Sequence, residues 1–346
     1  MSFVKTDLNY AKEYSQALAQ AYPNVLQFGA LWGATKPEVK FLNGNTVILP
    51  SLTVKGRSNG DRDTIGSFHR NFNNAEETKV LKRHRIWETL IHPRDIDETN
   101  HVANITNITK VFNEEQKFPE MDAEMINDLY ALKNEQETIV ENDVLTVENV
   151  LAKFDALMDI MDEARVPSAG RLLYADTYTK TLIDTAKETA RYMSATDRTI
   201  NRSLDRIGEV DVLGVTTKAM KSAYKFTDDG FEVQKDEYKA STDTSVVAGK
   251  IYYTKNGEVY TAVAEPTGNP STSSYYEKIA EAAKDIKMLL IHPSAIIPVV
   301  SYEFAQLGAP SSVSQGKWTY FEESFEDVFI YNKKHNAIQF YVERTA

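Results

Sequence analysis

The chain has 346 residues and no cysteine, and its 39 Lys and Arg against 50 Asp and Glu leave a formal net charge of −11. Lacking thiols, it has no disulfide framework, thiolate zinc site or cysteine nucleophile, and its acidic balance speaks against a general nucleic-acid coat, which grips phosphate with Lys and Arg. Hydrophobic residues at 42% and charged ones at 26% exclude a disordered chain, and this length allows two or three domains with a core that needs no staples.

Residues 1–10 mix Lys5 and Asp7 with isolated apolar residues, so no secretory leader is expected. The longest apolar run, 288–300, is broken by His292, Pro293 and Pro298 and falls short of the roughly 20 residues of a membrane span. A soluble protein made in the cytoplasm is expected. Leu8, Ala11, Ala17, Leu18 and Ala21 predict a weakly amphipathic helix over 8–22 that ends before Pro23, an arm rather than a domain.

Two strand-like runs follow, 46–55 (TVILPSLTVK) and 80–92 (VLKRHRIWETLIH), with Pro50 marking the first as an edge strand or a bulge. Residues 56–79 are rich in Gly and Asn and read as the open tip of a long hairpin joining these runs. An isolated two-stranded hairpin is marginally stable, so it needs a surface on its own body or on another subunit. The segment 55–94 is basic: Lys55, Arg57, Arg62, Arg70, Lys79, Lys82, Arg83, Arg85 and Arg94 outnumber Asp61, Asp63, Glu76, Glu77 and Glu88, a balance of +4 that leaves −15 elsewhere. Such segregation favours arm-to-body contact between copies, since complementary potentials select partner and register. A solvated basic hairpin is the competing reading.

The segment 113–133 places Met121, Met125, Ile126, Leu129 and Leu132 at helical spacing, with an acidic opposite face bearing Glu114, Glu115, Glu120, Asp122 and Glu124. A cleaner helix spans 147–164, with Val150, Leu151, Phe154, Leu157, Met158 and Met161 on one stripe and Thr146 as N-cap, ending before Pro167. Beyond it come a strand at 171–175, Asp176 as cap, a helix at 177–192 and a buried strand at 209–216. Residues 228–274, rich in Thr, Ser, Gly, Tyr and Asp, read as a small β insertion whose Asn256-Gly257 marks a type I′ hairpin. A helix over 274–284, a strand at 288–292 and two C-terminal β runs, 325–331 and 337–342, complete the chain, the last two joined by a polar turn at 332–336.

Chemistry-bearing patterns are scarce. The six histidines are scattered, with no ligand spacing, and no phosphate-cradling glycine loop, dinucleotide turn or serine-hydrolase elbow occurs. Asp155, Asp159 and Asp162 recur at helical spacing, where a solvated helix face outweighs paired-carboxylate catalysis. The reading is therefore no catalytic, cofactor or metal residues, and not an enzyme.

Five segments taken in order carry a resemblance: NEEQKFPEMD at 113–122, MDEARVPSAGR at 161–171, IHPSA at 291–295, VSYEFA at 300–305 and YFEESFEDVF at 320–329. Together they resemble the major capsid protein of siphophages infecting Gram-positive bacteria. The resemblance implies an α+β fold of the Hong Kong 97 type. It assigns 1–45 to an N-terminal arm, 46–100 to an extended hairpin (E-loop), 101–143 with 320–346 to a peripheral domain containing a spine helix, 144–227 with 275–319 to an axial domain, and 228–274 to an insertion in that domain. It makes Lys55, Arg57, Arg62, Arg70, Lys79, Lys82, Arg83, Arg85 and Trp87 the arm's inter-subunit contacts, with Glu114, Glu115, Glu120, Asp122 and Glu124 as their acidic counter-surface. Pro167, Gly170, Arg171, His292 and Pro293 are the family-motif residues. The implied function is a self-assembling head subunit, in hexamers and pentamers of an icosahedral shell enclosing double-stranded DNA without sequence-specific contact. A separate scaffolding protein and a portal are the implied partners, no membrane is involved, and the subunit is assembled in the host cytoplasm and resides in the virion. The runner-up is a carbohydrate-binding or adhesion protein using the Tyr-rich insertion, and the third a hydrolase using the Asp155, Asp159 and Asp162 face.

Overall fold

The computed structural model describes residues 24–33, 40–42, 46–57, 70–98, 105–193, 206–207, 210–227, 230–235, 237–240, 251–253, 259–261 and 276–344. The helix expected at 8–22 and Arg62 lie outside them. Two compact units form, Met1–Lys117 with Ile296–Tyr331, and Phe118–Ala295 with Asn332–Ala346. Elements are numbered along the chain.

The first unit holds α1 (Gly29–Trp32), β1 (Lys40–Leu42), β2 (Thr46–Val54), β3 (Phe72–Val80), β4 (Arg83–Ile91), α2 (Pro93–Glu98), α3 (Ile105–Phe112) and a π-helical turn at Asn113–Lys117, with β16 (Ile296–Gly308) and β17 (Trp318–Ile330). The strands make two antiparallel sheets, β1-β2-β3 and β16-β17-β4. The long hairpin exists, but with a different second strand. β2 pairs with β3, Thr46 opposite Val80 and Val54 opposite Phe72, while β4 pairs with β17 from Ile91 opposite Trp318 to Arg83 opposite Glu326. Pro50 is tolerated inside β2 because β1 reaches only Thr46–Ile48, leaving Pro50 paired on one side. Val47 and Leu49 bury the hairpin's base against Leu81, Ile297, Val299 and Phe329, each contributing about 1.5–3 kcal/mol of anchorage.

The second unit holds α4 (Phe118–Gln136), β5 (Glu141–Asn142), α5 (Val150–Glu163), β6 (Leu172–Asp176), α6 (Thr177–Met193), β7 (Arg206–Ile207), β8 (Val210–Val215), β9 (Tyr224–Thr227), β10 (Gly230–Val233), β11 (Glu237–Ala240), β12 (Ile251–Tyr253), β13 (Val259–Thr261), β14 (Tyr276–Ala280), β15 (Ile286–Ile291) and β18 (Ile338–Glu343). Its centre is a six-stranded mixed sheet, β5-β18-β15-β6-β8-β7. One face of that sheet, with Leu173, Ala175, Val212, Met288 and Leu290, packs on the stripe of α5 (Val150, Phe154, Leu157, Met161) and on Leu182, Ile183 and Ala186 of α6. On the other face Phe340, Leu289 and Tyr174 share a row, and Tyr130 of α4 meets Phe340 edge to face, centroids 5.4 Å apart. Asp176 caps α6 as expected, its Oδ1 accepting the Thr179 N–H at 2.7 Å. At α5 the N-cap is Asn149, not Thr146, and Asn149 Oδ1 accepts the Thr146 N–H at 2.8 Å.

Three expectations are corrected. The segment 274–284, whose Ala, Glu and Lys favour a helix, contains β14, paired with β11 and β12; sheet pairing overrides its propensity. The inserted sheet, β11-β14-β12-β13, therefore runs to Ala280 rather than stopping at 274. The two C-terminal runs belong to different sheets, β17 with β16 and β4, β18 with β15 and β5. The compact units accordingly divide at 117/118, 295/296 and 331/332. The β12–β13 pairs, Ile251–Thr261 to Tyr253–Val259, are symmetric about position 256, one residue off the register a two-residue Asn256-Gly257 turn demands; the turn itself lies outside the described residues.

The ends of the insertion meet. The Ala283 N–H donates to the Gln234 carbonyl at 2.9 Å, and the Gln234 N–H to the Ala223 carbonyl at 3.1 Å. Replacing residues 236–281 with a short Gly-Ser linker should yield a soluble subunit whose urea-unfolding free energy changes by about 1 kcal/mol or less, because loop closure depends weakly on length. An insoluble product would make the insertion part of the core.

Candidate assembly surfaces

Strand alternation sorts the hairpin into two faces. Val47 and Leu49 face the body, so the even-numbered residues of β2, and β3 residues of the same parity, face away from it. Leu52, Val54, Phe72 and Val80 lie on that outward face with 48–65% exposure. Beyond Leu49 no described residue of the hairpin is buried. Its far end is basic: Lys55, Arg57 and Arg70 are exposed there, with Arg70 hydrogen-bonded to the Phe72 carbonyl at 3.2 Å and stacked 4.7 Å over the Phe72 ring. An apolar stripe turned away from its own body, with cations at its tip, is a surface awaiting a complement.

The remaining cations assigned to the arm sit elsewhere. Lys79 is on β3 and Lys82 at the β3–β4 corner, whereas Arg83, Arg85 and Trp87 alternate on the half-buried face of β4. Trp87 stacks on Phe112 of α3 at 3.9 Å and tilts against Tyr320 at 5.5 Å. On the same face Lys117 pairs with Glu322, which also accepts the Tyr320 hydroxyl at 3.0 Å. Burial and then the Glu322 carboxylate push that hydroxyl's pKa up to about 12. Arg83, Arg85 and Trp87 therefore lie on the half-buried face of β4 and not on the free arm, because β4 pairs with β17 rather than with β2.

Two of the five acids expected as counter-surface are buried, and Glu120 is half-buried. Asp122 and Glu124 are each 2% exposed, and Glu114 and Glu115 are half-buried in the π-helical turn, Glu114 lying 3.8 Å from Lys110. Only the spacing of these acids was visible in the sequence, and helical spacing does not say which stripe is covered. An exposed alternative is the opposite face of the β16-β17-β4 sheet, where Ile86, Glu323 and Phe304 share one row and Glu88, Phe321 and Gln306 the next. Ile86 and Leu90 are more than half exposed there. Phe304 lies 6.2 Å from Phe321, and His84 stacks on Phe325 while pairing with Glu323 at 2.7 Å.

The five family-motif residues converge in the second unit. Arg171, fully buried, donates from Nε to the Pro167 carbonyl (3.0 Å), and from Nη2 to the Val166 carbonyl and to Asp162 (2.6 Å each). Gly170 has φ +87°, which an L side chain adopts only at about 1–2 kcal/mol. His292 Nε2 donates to the Ala169 carbonyl at 3.2 Å, and its Nδ1 accepts the Ser294 N–H at 3.2 Å, just where Pro293 opens a 3₁₀ turn. Asp162 is thus tied to Arg171, while Asp155 and Asp159 are exposed on α5. This is a turn lock, built from hydrogen bonds of Arg171 and His292 to the backbone of the turn.

A second ionic knot lies beneath β15. Lys287 Nζ is within 3.4 Å of Asp176, 3.5 Å of Glu343 and 3.8 Å of Asp285. Burial favours the neutral amine, but these carboxylates outweigh it and hold the Lys287 pKa above its ordinary value. Glu343 also accepts the Leu145 N–H at 3.0 Å, so the knot binds β6, β15 and β18 together. Among the described residues no cluster suited to a metal occurs, and no helix is long and apolar enough to cross a membrane.

Neither a family model nor a curated protein matches the sequence. Solved structures do. The capsid structure of the cyanophage P-SCSP1u contains a chain superposable with TM-score 0.59 at 11% identity, over 99% of this chain and 94% of that one. The fold is that of phage capsid chains. A chain of Mycobacterium phage Che8 matches at TM-score 0.54 and 8% identity, over 95% of each chain. One from the mature capsid of bacteriophage PhiM1 matches at 0.51 and 9%, over 87% of this chain and 83% of that one. At 8–11% identity the likeness to these chains is one of fold.

Proposed function

We propose that the chain is a head-shell subunit, the major capsid protein of a tailed phage, acting by assembly and not by catalysis. The observation that carries this reading is the hairpin β2–β3, rooted by Val47 and Leu49 and exposing Leu52, Val54, Phe72 and Val80 away from its own body. An exposed two-stranded ribbon is a liability in a monomer and an asset in an array. We assign the E-loop to this hairpin and the spine helix to α3, the π turn and α4. Its complement on a neighbouring copy is the open β16-β17-β4 face, where Ile86, Leu90, Phe304 and Phe321 offer apolar area and Glu88 and Glu323 oppose the arm's Lys55, Arg57 and Arg70. A contact of this head-to-tail kind closes rings, as hexamers and pentamers require, and shells held permanently bury more than about 2,000 Å² per interface.

On this reading the shell is icosahedral and encloses double-stranded DNA without base-specific contacts. A separate scaffolding protein and a portal complete the head, which assembles in the host cytoplasm. The five ordered motifs favour a siphophage of Gram-positive bacteria. Negative-stain microscopy of the purified protein, alone and with a scaffold, should show capsomers or shells; a monomer under every condition would overturn the proposal.

A further inference from the structure

The chain builds one turn twice, once in each compact unit. Leu90-Ile91-His92-Pro93 ends β4 and opens α2, and Leu290-Ile291-His292-Pro293 ends β15 and opens the 3₁₀ turn Pro293–Ala295. In both, the isoleucine is buried and the proline takes the first helical position, where a missing N–H costs nothing. The histidine satisfies the next two N–H groups. His92 Nδ1 accepts the Arg94 N–H at 3.1 Å, and the His92 carbonyl accepts the Asp95 N–H at 2.9 Å. His292 Nδ1 accepts the Ser294 N–H at 3.2 Å, and its carbonyl accepts the Ala295 N–H at 3.0 Å. A backbone N–H can only donate, so each Nδ1 presents a lone pair and each imidazole is neutral, with its proton on Nε2.

We propose that His92 and His292 are acid-sensitive caps: as neutral imidazoles they close these two strand-to-helix turns, and protonation withdraws the acceptor that both turns use. The donors decide the direction. On an imidazolium Nδ1 also bears a proton, which faces the Arg94 or Ser294 N–H as donor against donor. His92 is exposed, so its ring turns to water and gives up only the cap. His292 is half-buried, and its Nε2 is engaged by the Ala169 carbonyl at 3.2 Å, beside Gly170. Once charged, His292 can hold Ala169 or the 3₁₀ turn but not both, so its proton also acts on the turn lock around Arg171.

The segments packed around His292 carry Lys333, Lys334 and His335 ahead of β18, and Arg171 with its partner Asp162 ahead of β6. Lys334 Nζ donates to the Ser294 carbonyl at 2.9 Å. Around His92 stand Arg94 and Asp95 on its own turn, Lys317 beside Trp318, which pairs with Ile91, and Lys110 on α3. Among the described residues neither ring forms an ion pair, in contrast to His84, which holds Glu323 at 2.7 Å. An imidazolium at either turn therefore gains no compensating partner. The stability these caps contribute is present above the ordinary histidine range, about pH 6.5, and lost as pH falls below it. Each withdrawn cap should favour local opening about 2- to 30-fold, the span over which N-cap residues matter.

Nuclear magnetic resonance of the full-length, ¹⁵N-labelled, unassembled subunit from pH 8 to 4.5 tests it. At pH 8 a scalar coupling carried by the N–H···N bond should join His292 Nδ1 to the Ser294 nitrogen and His92 Nδ1 to the Arg94 nitrogen. Both Nδ1 atoms should resonate there as unprotonated ring nitrogens. As the rings take up protons the couplings should vanish, and protection of the Arg94 and Ser294 amides, corrected for intrinsic exchange, should fall about 2- to 30-fold. In His92→Asn and His292→Asn the amide oxygen is an acceptor that does not titrate, so protection at the substituted turn should stay level. A proton on Nδ1 at pH 8, a coupling or protection that survives protonation of the ring, or a native-like fall in the Asn variants would overturn the caps. Should a variant not fold, the couplings and ring nitrogens of the native protein decide. None of these readouts involves assembly, so failure here leaves the shell reading standing.

Discussion

Arg171→Ala should lower the subunit's unfolding free energy by about 3–5 kcal/mol, read as a shift of the urea midpoint. The magnitude comes from what the guanidinium holds and not from its ion pair. Asp162 is 60% exposed, so that pair is screened by water and is worth about 0–1 kcal/mol. The carbonyls of Val166 and Pro167 accept from the fully buried side chain, and removing it strips them of their donor and opens a void beside Met158. Asp162→Asn should therefore cost about 1 kcal/mol or less. Arg171→Lys should fall between the two, since one ammonium does not span acceptors arranged for a planar fork. If Asp162→Asn proved as damaging as Arg171→Ala, the buried turn lock would be the wrong account.

Leu52→Ser combined with Phe72→Ser should abolish shell formation while leaving the monomer's circular dichroism unchanged and its urea midpoint within about 0.5 kcal/mol of native. Both side chains are more than half exposed on the outward face of the hairpin, so the monomer loses little. An interface whose centre they form loses its anchors, and truncating such anchors typically removes 2 kcal/mol or more apiece. In a closed array that loss recurs at every contact. Arg83→Glu should behave oppositely: Arg83 lies beside Asp327 and Glu326 within the first unit, so its reversal should destabilise the monomer itself. Normal particles from the Leu52/Phe72 variant would remove the hairpin from the assembly interface.

How far the sequence reveals this molecule depends on whether a segment's partner leaves a trace in its own residues. The stripes of α5 and α6, the Asp176 cap and the buried strands β8 and β15 are legible because each carries its own periodicity. β4 is legible as a strand from its alternation, yet its partner is not: FNNAEETKV in β3 buries almost nothing and offers no apolar period, so nothing in its own residues announces the pairing with β2. β14 reads as helix because its flanking Ala, Glu and Lys outvote the Tyr and Ile that pair across the sheet. Among the site residues, the convergence of Pro167, Gly170, Arg171 and His292 was signalled by an ordered motif. The matching Leu-Ile-His-Pro stretches at 90–93 and 290–293 stand in the sequence, but the ring-to-backbone bond they share does not.

The single hydrogen bond joining Gln234 to Ala283 has a consequence beyond stability. Because the two ends of the extra sheet leave the body side by side, gaining or losing that sheet is one in-frame event with no rearrangement elsewhere. The site is thus a natural socket for insertion: foreign peptides grafted between residues 235 and 282 should leave the unit that bears them with its own packing.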